Sequence, residues 1–351
     1  VTERLEDAGI KVVPTGIDHG TVTAIAAHRP FEITTLREDV ETFGRHARVA
    51  FTDDWRADAA RRDFTMNAMS CRPDGRLFDY FGGWDDLMAG HVRFVGDAAT
   101  RIEEDVLRLL RFYRFGAHYG RGAPDPDGRA ACRAHVRALD GLSAERVRNE
   151  TLRLLAAPDP APTLDLMAED GVLSAYLPEA RDARTVGALA ALEAALADIS
   201  AIRRLGALLG PGADPRAVAV RLKLSNADGD RLVALYRGLA GFVPAGDGPG
   251  RRRALYEFGS ALYGDLLLVD AARRGRAAAE IAADLDAARD YTRPALPVGG
   301  QDVQALGVPE GRAVGELLRR VEAWWIAADF QPDRAAALDR LRALKDEVEW
   351  E

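Results

Sequence analysis

A carboxylate and three guanidiniums recur at three-residue intervals in the stretch Glu104-Asp105-Val106-Leu107-Arg108-Leu109-Leu110-Arg111-Phe112-Tyr113-Arg114-Phe115. Good helix formers and the lack of Gly or Pro predict one helix here. Each three-residue step turns the polar line back by roughly 60°, so Asp105 and Arg108 become neighbours. Arg114 then points nearly opposite to Asp105, about 13 Å along the axis. An acceptor beside a donor, with two cations trailing away, suits a nucleoside triphosphate: a flat base at one end, anionic phosphates at the other.

The pair can also choose between bases. A carboxylate only accepts and a guanidinium only donates. Cytosine and adenine each carry an exocyclic amino donor beside a ring-nitrogen acceptor. Asp105 would take the amino proton, and Arg108 would donate to the ring nitrogen (and to O2 of cytosine). Uracil and guanine set a carbonyl against the carboxylate, and unpaired polar groups at a closed site are heavily penalised. The same spacing also suits an ordinary amphipathic helix with an i,i+3 ion pair, worth ~0.2–0.5 kcal/mol.

A second dense motif is Arg61-Arg62-Asp63-Phe64-Thr65-Met66-Asn67-Ala68-Met69. Asp63 and Asn67, one helical turn apart, share a face. Arg62 can hold phosphate as a planar fork, and Asn67 can bond sugar hydroxyls. The plainer alternative is a helix start capped by Asp63 with solvated arginines. Glu32 sits in a β-rich run, where Glu is depleted. It is either a solvent-facing strand position or one of a carboxylate group near a metal ion or attacking hydroxyl. No Asp-x-Asp lies nearby to complete such a group. Residues 38–60, with His46, read as a long mobile loop.

The elements that must position these groups come in two regimes. Residues 1–9 predict a helix stopped by Gly9, and 10–14, 21–27 and 31–37 predict strands. Residues 79–87 read as a glycine turn entering a helix or short strand, with an architectural role. From Asp97 onward the pattern is helical, including one long alanine-rich helix over 186–209. Trp324-Trp325 reads as core aromatics of a late helix or, alternatively, a platform for stacking on RNA. With 351 residues and 48% apolar content, two to four units are expected. A net charge of -8 argues against a protein that coats nucleic acid nonspecifically. Cys71 and Cys132 lie far apart, which fits a reducing cytoplasm. No apolar run approaches a membrane span, and no basic-then-apolar leader is present.

Together the motifs resemble the class II tRNA nucleotidyltransferases, the CCA-adding enzymes and their bacterial poly(A) polymerase relatives. The matching stretches are Gly16-x-x-His19-Gly20-Thr21, Glu32-Ile33-Thr34-Thr35-Leu36-Arg37, Gly44-Arg45-His46-Ala47, the 61–68 motif, Asp79-Tyr80-Phe81-Gly82-Gly83, and Glu104-Asp105-x-x-Arg108-x-x-Arg111-x-x-Arg114-Phe115. Weaker likeness continues through Leu142–Glu150 and into the tail.

The resemblance implies an α+β fold: a partial nucleotidyltransferase palm over 1–90, a nucleotide- and RNA-binding neck over 91–150, and a helical, tRNA-binding body and tail over 151–351. It implies addition of CCA to tRNA 3′ ends from CTP and ATP with magnesium and no nucleic-acid template. Glu32 resembles the third carboxylate of the palm, and Arg62 the arginine holding the nucleotide, with Asp63 and Asn67 near its sugar. Asp105 and Arg108 resemble the protein template, and Arg111 and Arg114 the triphosphate ligands. The family's Gly-Gly-x-Val-Arg-Asp and its strand Asp-x-Asp, which hold the magnesium ions, are expected upstream of Val1, so the chain as given is expected to lack activity. Phe43 stands where the family's loop motif commonly carries Asp. A poly(A) polymerase or CC-adding enzyme, and a noncatalytic RNA-binding module, are the alternatives. No membrane or protein partner is implied.

Overall fold

A computed structural model describes residues 1–17, 20–43, 46–244 and 248–347, with side chains outside 39–49. The chain forms two compact units, one of residues 1–194 and 199–229, the other of 195–198 and 230–351. The architecture is α+β, with all sheets antiparallel and early in the first unit.

The expected opening elements are present. Helix α1 (Thr2–Asp7) ends before Gly9, which takes the left-handed conformation at φ 72°. Strands β1 (Lys11–Gly16), β2 (Thr21–Ala26) and β3 (Arg29–Thr34) pair in sequence order. The β2–β3 turn puts Ala27 and His28 at φ 48° and 61°, the geometry that suits a two-residue hairpin even without glycine.

Residues 38–60 are not the long loop that their polarity suggested. They hold a hairpin, β4 (Arg37–Phe43) and β5 (His46–Phe51), followed by α2 (Trp55–Ala60). Strand formers alternate with charges in both strands, and a two-stranded ribbon rich in charge reads as loop. Gly44, Arg45, Asp18 and His19 lie outside the described residues, as do the side chains of Phe43 and His46.

The short hairpin β6 (Ser70–Cys71) and β7 (Leu77–Phe78) precedes α3 (Gly83–Ala89). Asp79 accepts the backbone N–H groups of Phe81, Gly83 and Trp84, which fixes the glycine turn. A Cβ on Gly83 would lie 2.1 Å from the Thr65 carbonyl oxygen, so α3 packs here only because no side chain intervenes. Then come α4 (Ala98–Glu104), α5 (Leu107–Tyr119), α6 (Pro126–Ala134), α7 (Ala144–Leu155), α8 (Ala161–Glu169), α9 (Val172–Tyr176), α10 (Ala183–Leu196), α11 (Ala201–Leu208) and α12 (Pro215–Arg221).

Two expected helices are each two. Residues 104–115 break at Asp105, whose backbone is extended at φ -151°. Its side chain accepts the Leu107 N–H at 3.2 Å, a local bond that competes with the helical ladder. Residues 186–209 split into α10 and α11, with Ala197 at φ 53°. The bend lets buried Glu193 accept from Arg203 at 2.7 Å and Arg204 at 2.5 Å. Arg204 also donates to the carbonyls of Leu155 and Ala157 at the end of α7. A charge trio of this kind is tolerated inside only when it is paired this fully.

Phe64 organises the first unit around the motifs. It is fully buried, 5.0 Å from both Phe94 and Phe115 between ring centroids. Phe94 in turn stacks on Phe112 at 5.6 Å. Backbone bonds Thr65 N–H to Arg93 O and Val95 N–H to Asp63 O, each 3.0 Å, pin the 63–65 segment to 93–95. The 61–69 motif is thereby laid against α5.

The second unit contains most of α13 (Asn226–Leu239), then α14 (Gly248–Arg274), kinked at Gly259, and α15 (Ala278–Arg289). Helices α16 (Gly300–Ala305), α17 (Arg312–Ala327) and α18 (Arg334–Asp346) close over Val303, Leu317, Val321 and Leu341. Trp325 is buried and donates its indole N–H to Pro332 O, so it serves the core. No helix is long and apolar enough to cross a membrane, among the described residues.

Phe64→Ala is expected to cost about 3–5 kcal/mol through loss of burial and the cavity left behind. Urea unfolding followed by tryptophan fluorescence measures it; a loss below about 1 kcal/mol would contradict the central place given to this ring.

Candidate nucleotide-binding site

Three segments meet at the start of α5: the end of α2 with the following 61–67 motif, the α4–α5 corner, and α7. Asp63 joins the first to α5. Its Oδ1 accepts from the Phe64 N–H and from Asn67 Nδ2, both at 2.9 Å. Its Oδ2 accepts from Arg111 Nε at 2.6 Å and Nη2 at 2.5 Å. Asp63 and Asn67 thus share a face as expected, on a 3-10 turn (Thr65–Asn67) rather than an α-helix. The Asp63 carboxylate is committed to protein donors, so it tethers Asn67 and Arg111 instead of reaching toward a sugar.

Asp105 and Arg108 do not pair with each other. The break at Asp105 puts its side chain off the α5 surface, and Arg146 of α7 donates to both its oxygens, at 2.7 and 3.0 Å. Arg108 turns to Glu104 at 2.6 Å, and to the carbonyls of Arg101 at 3.0 Å and Arg61 at 2.9 Å. These bonds use both Nη1 protons and one on Nη2, which leaves the Nε–H and the second Nη2–H for a base. The i,i+3 ion pair expected of a continuous helix is absent because the helix is not continuous.

The trailing cations are neutralised as well. Arg114 pairs with buried Glu150 of α7 and lies over the Phe115 ring at 4.4 Å. Arg111 Nη1 is 3.9 Å from the same Glu150. Arg62 is the most open of the four arginines: its side chain is 45% exposed, against 15% for Arg108, 28% for Arg111 and 11% for Arg114. One Arg62 nitrogen is held by Asp58 at 2.8 Å.

Glu32 stands apart. It is exposed on β3, opposite Thr23 of β2, and has no hydrogen bond or ion pair among the described residues. No three His, Cys, Asp or Glu side chains converge anywhere among the described residues. The described residues therefore do not by themselves fit a metal ion.

Asp58 lay outside the motifs, and Glu104, Arg146 and Glu150, although inside matching stretches, were given no part in holding the candidate site. Each had a local signal. Asp58 stands three and four residues before Arg61 and Arg62, and Arg146 stands four before Glu150 on one face of α7. Burial pushes the Asp58 carboxyl up. Hydrogen bonds from Arg62 and the Arg37 N–H, with the charges of Arg62 and Arg61, outweigh it and hold the group below its ordinary 3.8.

A depressed folded value means that stability from Asp58 is complete above the ordinary value and is lost as pH falls through the folded one. Asp58→Asn is expected to lower stability at pH 7 and to flatten the acid limb of a denaturation series below about pH 4. An acid limb as steep as that of the unaltered chain would count against the arrangement.

Residues 1–93 match the family model described as the Poly A polymerase head domain, and residues 123–184 match the one described as the probable RNA and SrmB- binding site of polymerase A. The mitochondrial CCA tRNA nucleotidyltransferase 1 of Danio rerio is 33% identical over 347 residues, 96% of this chain and 78% of the relative. Its Homo sapiens counterpart is 32% identical over 362 residues, covering 97% and 79%. The crystal structure of the Bacillus stearothermophilus CCA-adding enzyme in complex with CTP superposes with TM-score 0.79 at 27% identity, over 96% of this chain and 86% of that one. The Thermotoga maritima CCA-adding enzyme complexed with tRNA shares the fold, with TM-score 0.63 at 18% identity over 97% and 83%. Similarity across nearly the whole chain, to proteins that agree in name, places it: the chain belongs to the CCA tRNA nucleotidyltransferase family.

Proposed function

We propose that the α4–α5 corner selects CTP and ATP for template-independent addition of CCA to the 3′ end of tRNA. One observation carries this reading. Asp105 and Arg108 are oriented by other partners, Arg146 and Glu104, and so each keeps hydrogen-bonding capacity for a base. Asp105 retains lone pairs for an exocyclic amino group. Arg108 retains two N–H donors, enough for N3 and O2 of cytosine or N1 of adenine. A poly(A) polymerase needs only the adenine half of this capacity.

The remaining roles follow from exposure and charge. Arg62 takes a phosphate oxygen with its open donors. Arg111 and Arg114, paired with Asp63 and Glu150, are assigned to the triphosphate through their remaining N–H donors. Asn67, anchored by Asp63, faces the sugar. Glu32 is assigned to the attacking hydroxyl, with magnesium as the expected metal. Residues 1–90 act as head, 91–150 as neck, and 151–351 as the helical body and tail that grip tRNA through its backbone phosphates. The thiols of Cys71 and Cys132 are both free, which suits a reducing compartment such as the cytoplasm.

The test is incorporation of CTP and ATP into tRNA lacking its terminal CCA, read by 3′-end sequencing. CCA ends are expected; ends extended by adenosine alone would favour the polymerase reading. Arg108→Ala is expected to reduce the preference for CTP over UTP by about tenfold or more, the loss of at least one charge-assisted bond. An unchanged preference would refute the assignment of Arg108.

A further inference from the structure

Asp58 lies at the one point where the hairpin, the phosphate-facing arginine and the base-facing arginine are mechanically joined. It is buried near the end of α2. Its Oδ1 accepts the Arg37 backbone N–H at 3.1 Å, which ties the first residue of β4 to α2. The same oxygen accepts Arg61 Nε at 3.0 Å, and Oδ2 accepts Arg62 Nη2 at 2.8 Å. Arg61 and Arg62 are therefore turned toward one carboxylate.

Two consequences follow for different ends of a nucleotide. Arg62 is gripped at one nitrogen while the rest of its guanidinium is open, so the open edge has a fixed direction. Arg61 is gripped through its side chain, and its carbonyl is the acceptor that Arg108 Nη2 uses at 2.9 Å. The neighbouring Ala60 carbonyl takes Arg101 Nη1 at 3.0 Å, and Arg101 pairs with Glu104, which also holds Arg108. A single carboxylate thus orients a phosphate donor directly and a base-reading donor through one backbone carbonyl.

We propose that Asp58 is a positioning residue that sets both triphosphate affinity, through Arg62, and base discrimination, through the Arg61 carbonyl and Arg108. This rests on the nucleotide-site reading above. Asp58 touches no substrate; it acts by holding the groups that do. Loss of its charge frees Arg62 to swing into solvent and lets the Arg61 peptide drift away from Arg108.

The test is equilibrium titration of the chain with CTP, ATP and UTP by calorimetry, in the unaltered protein, Asp58→Asn, Arg62→Ala and the double variant. Asp58→Asn is expected to weaken all three triphosphates by about tenfold, the worth of one charge-assisted hydrogen bond, and also to shrink the ratio of UTP to CTP dissociation constants. Arg62→Ala is expected to weaken all three while leaving that ratio alone. The double variant is expected to bind UTP no worse than Arg62→Ala, since a residue acting through another gives non-additive losses, while CTP weakens further by the factor that reduces the ratio. A purely structural defect lowers the number of competent sites and leaves the constants and the ratio unmoved.

Additive losses of UTP affinity in the double variant, or Asp58→Asn with unchanged constants and ratio, would overturn the proposal. Should Asp58→Asn not fold, Asp58→Glu displaces the same charge by one methylene and is expected to move both readings in the same direction; no movement there overturns it too. If the unaltered chain fails to prefer CTP over UTP, the base-selection reading is the one that falls, and the triphosphate arm still decides for Asp58.

Discussion

The site depends on one ion pair, the buried carboxylate of Asp63 with the partly exposed Arg111, separated by 48 positions in the chain. Burying a carboxylate is costly unless its lone pairs are filled and its charge is met. Here the Phe64 N–H, Asn67 and both reachable nitrogens of Arg111 fill them. Arg111 also lies over the Phe115 ring at 5.3 Å, which covers one side of the pair. The pair locks the 61–67 motif to α5.

A second layer of charge works on the opposite principle. Arg108, Arg146, Glu104 and Asp105 are partly open, and Asp105 and Arg108 do not pair with each other as a continuous helix would have had them do. The displaced pairing is what the proposed base-reading role requires. A direct Asp105–Arg108 bridge would cancel the donor and acceptor that a base must meet, and breaking it would oppose binding. By assigning Asp105 to Arg146 and Arg108 to Glu104, the fold keeps each group charged and aimed, with spare hydrogen-bonding capacity. This is preorganisation: the orienting cost is met in folding rather than when the nucleotide arrives.

How far the sequence spoke for itself varied with the range of the interaction. The three opening strands, the stop at Gly9 and the glycine turn after Asp79 were legible, because each depends on local chemistry: φ freedom, alternation, or a side chain capping nearby N–H groups. The corner at Asp105 was not, because helix propensity over 104–115 is high and the bond that ends α4 involves a single side chain. The hairpin over 37–51 was hidden by charge density that resembles solvated loop. The split of 186–209 came from a buried trio, Glu193 with Arg203 and Arg204, whose members look like ordinary surface residues until the chain bends. The site motifs were found by spacing, yet their partners Arg146, Glu150 and Asp58 were not. A long-range partner announces itself only weakly, as an unremarked charge one helical turn from another.

The central claim is that an acid and a cation at the α4–α5 corner read the edge of a base. A crystal structure of the chain with bound CTP tests it most directly. The account predicts the cytosine amino group within hydrogen-bond distance of Asp105, and N3 and O2 within reach of the free Nε and Nη2 donors of Arg108, with Arg146 and Glu104 still in place. Cytosine seated elsewhere, or Asp105 and Arg108 still turned away from it at full occupancy, would contradict it.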